Sequence, residues 1–108
     1  VSPASTDERL EMIAKIATGF VYFTARQVIT GAKDSMYTEL TNDLKRVRKF
    51  FDIPLAVGFG VSKKEHVEKL VGNADIAVVG SAIIDIINKS GKDVEGEVKT
   101  FIKDLQVE

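Results

Sequence analysis

Apolar positions along the chain fall into spaced runs and continuous runs, and the two alternate. Leu10, Ile13, Ala14 and Ala17 recur at helical spacing behind Ser5 and Glu8, which are placed to form a capping box. Gly19 stands where a helix end takes the left-handed conformation. The continuous run Phe20-Val21-Tyr22-Phe23 predicts a strand, whereas Thr24 to Tyr37 has no period and predicts a loop around Gly31. Thr38 to Phe51 predicts a helix with Leu40, Leu44, Val47 and Phe51 on one face, and Pro54 separates it from a second strand, Leu55-Ala56-Val57. Beyond Gly58-Phe59-Gly60, Ser62 and Glu65 suggest another capping box, for a helix that turns Val67, Leu70 and Val71 inward and stops at Gly72. A third strand, Ile76 to Val79, leads into Gly80-Ser81 and a short apolar helix ending near Ile87. After Ser90-Gly91, Val94, Val98, Phe101, Ile102 and Leu105 describe a last amphipathic helix.

The predicted order is a helix, three strand–helix units and one extra helix. Apolar strands alternating with amphipathic helices point to the α/β class, with parallel strands covered by helices. Three such strands alone leave two open edges and one uncovered apolar face, which closed barrels avoid by completing eight strands. The expectation is therefore one incomplete unit over residues 1–108, with no second domain, cut from a larger barrel enzyme. The other possibility is a non-catalytic half-barrel module that dimerises to complete its sheet.

Composition narrows the function classes. Hydrophobic residues are 44% and charged residues 29%, a globular balance, and a net charge of −1 offers no footprint for nucleic acid or an anionic membrane. The basic run Arg46, Arg48 and Lys49 lies between Asp43 and Asp52 and reads as a solvated helix face. Without cysteine there is no disulfide, thiolate chemistry or Cys-based zinc site. No apolar stretch is long enough to span a bilayer and nothing resembles a secretory signal, so a cytoplasmic location is expected. The start at Val1 fits a processed or trimmed product.

Candidate chemistry lies in two glycine turns. Gly58-Phe59-Gly60 follows the second strand and Gly80-Ser81 follows the third, each directly before a helix. Glycine admits close approach of a ligand to the backbone, and the first N–H groups of a helix, with its dipole, favour an anion. A phosphate site made by the loops after the last two strands and a short extra helix recurs in (β/α)8 barrels. The plainer alternative is that these glycines serve only as tight turns.

Four stretches carry a resemblance in order and spacing: Gly19-Phe20-Val21-Tyr22; Arg26 with Thr30-Gly31-Ala32; Val57-Gly58-Phe59-Gly60-Val61-Ser62; and Val79-Gly80-Ser81-Ala82-Ile83. Together with Ser2-Pro3-Ala4 they resemble the tryptophan synthase alpha subunit over essentially the whole chain, from the end of its fifth barrel strand onward. The resemblance implies the C-terminal portion of a TIM (β/α)8 barrel, with strands six to eight present. It also implies a lyase that cleaves indole-3-glycerol phosphate to indole and glyceraldehyde 3-phosphate in tryptophan biosynthesis. The partner would be the tryptophan synthase beta subunit, which carries pyridoxal phosphate; this chain would carry no cofactor and no metal.

On the same resemblance, Gly31, Gly60, Gly80 and Ser81 would bind the substrate phosphate, and Tyr22 would sit beside the reacting end of the substrate. Thr30, in a closing loop, would steady a catalytic carboxylate, and Phe59 would either lie against the indole ring or serve as a core aromatic. The family loop Arg-x-Gly-Val-Thr-Gly is here Arg26-Gln27-Val28-Ile29-Thr30-Gly31, so β-branched Val28 replaces a glycine and narrows the loop's backbone freedom. No catalytic residue is expected in this segment. The strand ends offer no carboxylate, Asp75 precedes its strand, Asp85 is within a helix, and His66 reads as solvated. Other phosphate-sugar barrels, of the phosphoribosyl isomerase or indole-glycerol phosphate synthase type, would share the glycine turns but not Tyr22 with Thr30-Gly31-Ala32.

Overall fold

The computed structural model describes residues 1–25 and 34–107. Helix α1 (Asp7–Ile16) leads into strand β1 (Val21–Thr24), and α2 (Asp34–Arg48) precedes β2 (Leu55–Gly58). Then come α3 (Lys64–Glu68), β3 (Ile76–Val78), α4 (Ser81–Lys89) and α5 (Val94–Leu105). The strands form one parallel sheet in the order β1-β2-β3. The expected sequence of elements is present, an α/β arrangement of three parallel strands with covering helices.

Several boundaries differ from the sequence expectation for local reasons. Helix α1 is capped by Thr6, whose hydroxyl accepts from the Arg9 N–H at 3.1 Å, while Ser5 Oγ accepts from the Ser2 N–H instead. Strand β1 begins at Val21 because Gly19, at φ +83°, turns the chain and leaves Phe20 exposed. Helix α2 starts a turn earlier than its apolar stripe, and after Arg48 the chain tightens, with the N–H groups of Lys49, Phe50 and Phe51 donating three residues back. That turn brings Phe51 into the core ahead of Pro54.

Register gives the sheet two unlike faces. Val21 pairs with Leu55, and Phe23 with Val57, which in turn pairs with Ala77. These positions meet Leu10 of α1, Leu40, Leu44 and Val47 of α2, and Leu70 in the main core. The opposite face carries two rows, Tyr22–Ala56–Ile76 and Thr24–Gly58–Val78. Only the centre of that face is closed: Ala56 is buried, whereas Tyr22, Ile76 and Val78 are 40%, 43% and 36% exposed. A compact chain of this length would have a radius of gyration of about 13 Å. The observed 15.3 Å, with extents of 50 × 31 × 25 Å, describes an arc of barrel wall.

Charged side chains fasten this arc at two places. Arg46, read from sequence as part of a solvated face, donates to Asp7 Oδ1 from Nε at 3.0 Å and from Nη2 at 2.8 Å, and also to the Ser5 carbonyl. It thereby ties α2 to the start of α1. Arg48 pairs with Asp75 at 2.9 Å, and the Leu55 N–H donates to Asp75 Oδ2 at 2.8 Å. Asp75 thus joins the entries of β2 and β3 to the end of α2, and its carboxyl is held below its usual range by the Leu55 N–H first and Arg48 second.

Beside β1, Val1 adds a parallel bridge. Its backbone nitrogen donates to the Tyr22 carbonyl at 2.8 Å, and its own carbonyl accepts from the Thr24 N–H at 3.0 Å and from Thr24 Oγ1 at 3.2 Å.

Candidate functional site

At the carboxyl ends of all three strands lies a cavity of about 350 Å³. Five residues anticipated from sequence line it: Tyr22, Phe59, Gly60, Gly80 and Ser81. Thr30 and Gly31 lie outside the described residues, as do Arg26, Val28 and Ala32. Five further residues complete the wall: Thr24, Ala25, Gly58, Val61 and Val78. Thr24, Gly58 and Val78 form one register row, so the parallel pairing itself places them there.

Of the three glycines that line the described wall, two have a reason in the fold to be glycine. Gly60 stands at φ +81°, a conformation that side chains disfavour. At Gly58 a Cβ would overlap the Tyr22 hydroxyl and touch Tyr22 Cζ at 3.0 Å. Gly80 has neither constraint: its φ is −128°, and a Cβ there would meet open space. Nothing in the fold of the described residues requires Gly80 to be small, and its missing side chain leaves the mouth of α4 unobstructed.

The polar groups facing this region are neutral donors. Gly80 is the N-cap of α4, its carbonyl accepting from the Ile83 and Ile84 N–H groups at 3.0 and 3.2 Å. The N–H groups of Ser81 and Ala82, which precede the first helical bond, make no hydrogen bond to another described residue, nor do those of Gly60 and Val61. With nine residues of aligned peptide dipoles behind it, the start of α4 favours a negative charge. Hydroxyls come from Tyr22 and Ser81, that of Thr24 donating to the Val1 carbonyl, and among the described residues no carboxylate lines the cavity.

Phe59 belongs to the wall and to the core at once. It is 3% exposed, packs within the main apolar cluster and meets the His66 ring edge-on, with centroids 6.3 Å apart and planes at 65°. His66 is a correction to the sequence reading: it is buried, and its Nδ1 accepts from the Ser62 N–H at 3.1 Å. The anticipated capping box of Ser62 and Glu65 is absent. Lys63 is the N-cap of α3 and gives no side-chain cap, and the imidazole ties the chain back from inside the helix.

Parallel strands covered by helices, with a donor-lined cavity at the strands' carboxyl ends, match the architecture of part of a parallel β/α barrel. The chain belongs to the tryptophan synthase alpha chain family, whose family model matches residues 1–107. It is 46% identical over 99 residues to the tryptophan synthase alpha chain of Methanocaldococcus jannaschii, a match covering 92% of this chain and 35% of that protein. It is 43% identical over 105 residues to the tryptophan synthase alpha chain of Pyrococcus abyssi, covering 96% of this chain and 42% of that protein. A solved structure of the tryptophan synthase α2β2 complex from the hyperthermophile Pyrococcus furiosus superposes with a TM-score of 0.75 at 35% identity, over 97% of this chain and 41% of that chain. This chain therefore spans well under half the length of the curated relatives it matches. Its fold is a portion of the (β/α)8 barrel.

Proposed function

We propose that residues 1–108 form the phosphate-binding and part of the indole-binding wall of a lyase that cleaves indole-3-glycerol phosphate to indole and glyceraldehyde 3-phosphate. In this reading β1, β2 and β3 are the sixth, seventh and eighth barrel strands, within one domain. The observation that carries the reading is the meeting of both glycine turns and the start of α4 in one cavity with Tyr22.

The phosphate sits against the Gly60, Val61, Ser81 and Ala82 amides, with the Ser81 hydroxyl as a further donor and Gly31 contributing from the closing loop. Charge-assisted bonds to backbone N–H groups are short and strong, so an anion is held without a cationic side chain. The flat, uncharged end of the substrate lies along Phe59 and the Tyr22 row, and Thr30 steadies a carboxylate. Protonating the indole ring carbon and deprotonating the glycerol hydroxyl need an acid and a base. No Glu or Asp is among the described residues of the wall, so we assign both to Glu and Asp residues outside this segment. The chain itself uses no cofactor and no metal.

The Pyrococcus furiosus relative is an α2β2 assembly, which supports a beta subunit as the partner here. In our reading pyridoxal phosphate belongs to that subunit and not to this chain. Among the described residues no helix is long and apolar enough to cross a membrane. We place the enzyme in the cytoplasm.

The test is cleavage of indole-3-glycerol phosphate by the full-length chain, with competition by indole-propanol phosphate. Turnover that this analogue inhibits supports the reading, and residues 1–108 alone should give none. A full-length chain that ignores both compounds while binding other sugar phosphates would refute it.

A further inference from the structure

We propose that His66 is a positioning residue for the phosphate turn, a role that rests on the phosphate site proposed above. Its ring bridges the two ends of the segment Phe59-Gly60-Val61-Ser62. On one side Nδ1 accepts from the Ser62 N–H at 3.1 Å. On the other the ring meets Phe59 edge-on, with centroids 6.3 Å apart. Between these anchors lies Gly60 at φ +81°, the one residue of the segment whose backbone is left-handed.

The arrangement decides which amides remain for a ligand. The Ser62 N–H is engaged by His66 behind the turn, while the Gly60 and Val61 N–H groups make no bond to another described residue. Phe59 and Val61 are both buried in the core, at 3% and 2% exposure, so the segment is pinned at alternate residues with Gly60 carried between them. His66 itself does not line the cavity. It acts through the turn, and as an acceptor at Nδ1 it carries its proton on Nε2.

A helix cap by Ser62 would have placed a hydroxyl in this role. An imidazole reaches back four residues from inside α3 and adds a flat surface for Phe59, which a Ser side chain lacks. One side chain thereby couples the amide geometry of the phosphate turn to the aromatic wall of the same cavity.

The experiment compares His66→Asn with His66→Gln in the full-length chain, using inorganic phosphate as the probe. Asn can set its Oδ1 near the position of Nδ1 and keep the bond to Ser62, whereas Gln carries its polar end to the position of Nε2 and leaves the Ser62 N–H unbonded. His66→Asn should bind phosphate within about twofold of the wild type, and His66→Gln about five- to tenfold more weakly, the range a single hydrogen bond supplies. Equal affinities for the two variants, or a weaker Asn variant, overturn the proposal. Should either variant fail to fold, the wild type still decides: a ¹⁵N–¹⁵N coupling across the hydrogen bond between the Ser62 amide and His66 Nδ1 must be present, and its absence overturns the proposal. A wild-type chain that shows this coupling yet binds no phosphate removes the site reading and this role together. Phosphate binding by the wild type with an unaffected Gln variant removes the role of His66 alone.

Discussion

The Tyr22 hydroxyl occupies the place that a Cβ on Gly58 would take, two residues along the neighbouring strand from Ala56, its register partner. A parallel sheet sets the side chains of adjacent strands side by side, and a large ring on β1 can lean across β2 only where β2 has no side chain. Gly58→Ala should displace the Tyr22 ring and destabilise the protein by about 1–3 kcal/mol, the usual penalty of overpacking. Tyr22→Phe removes the hydroxyl that the new methyl would strike. In a double-mutant cycle, unfolding of the double variant should recover at least about 0.5 kcal/mol relative to additivity. Strict additivity would mean the two residues do not press on each other.

In the proposed site, Gly60 is a glycine required by the backbone and Gly80 one required by the ligand. At φ +81° Gly60 occupies a region that costs an ordinary residue about 1–2 kcal/mol. Gly60→Ala should therefore lower both the unfolding free energy, by that amount, and phosphate affinity, because the same peptide presents the amide. Denaturant melts and phosphate titrations of this variant check the pairing of the two losses.

Asp75 makes stability depend on acid. Its folded pKa lies below the unfolded value, so the stabilisation it gives is complete above about pH 4 and is lost as pH falls through the lowered folded value. Asp75→Ala removes the ion pair with Arg48 and the acceptor for the Leu55 N–H, and should lower stability at pH 7. The same variant should show a shallower fall in stability below pH 4 than the wild type. Equilibrium unfolding measured from pH 7 to pH 2 reads both effects, and parallel curves for the two proteins would exclude Asp75 as a source of the acid dependence.

The element order and the glycine turns were legible because each depends on nearby residues. Continuous apolar runs mark the strands, spaced apolar residues mark α1, α2 and α5, Gly58 and Gly60 close the second strand, and Gly80 stands at the start of α4. What escaped the sequence depends on distant pairs. Arg46 looked solvated because its partner Asp7 is 39 residues away in sequence. His66 looked exposed because α3 has only five residues, too short a stretch for its period to define a face. The cap of α1 fell on Thr6 rather than Ser5 because both hydroxyls suit the position and only the path of the chain selects between them. Thr24 and Val78 entered the cavity wall through strand register, which no single strand encodes.

The claim that matters most is that Gly80 is kept small for an anion and not for the fold. Gly80→Asp sets a carboxylate at the N-cap of α4, where a Cβ has open space and where the helix dipole favours a negative charge. The fold should be unharmed or stabilised by up to about 1 kcal/mol, while a dianion at the same place meets like charge and blocked amides. The decisive measurement is calorimetric titration of the full-length Gly80→Asp chain with glycerol 3-phosphate beside the wild type. Binding by the wild type and a loss of about 100-fold or more in a variant of unchanged or higher melting temperature is the predicted result. Equal affinity in the two proteins would contradict the account.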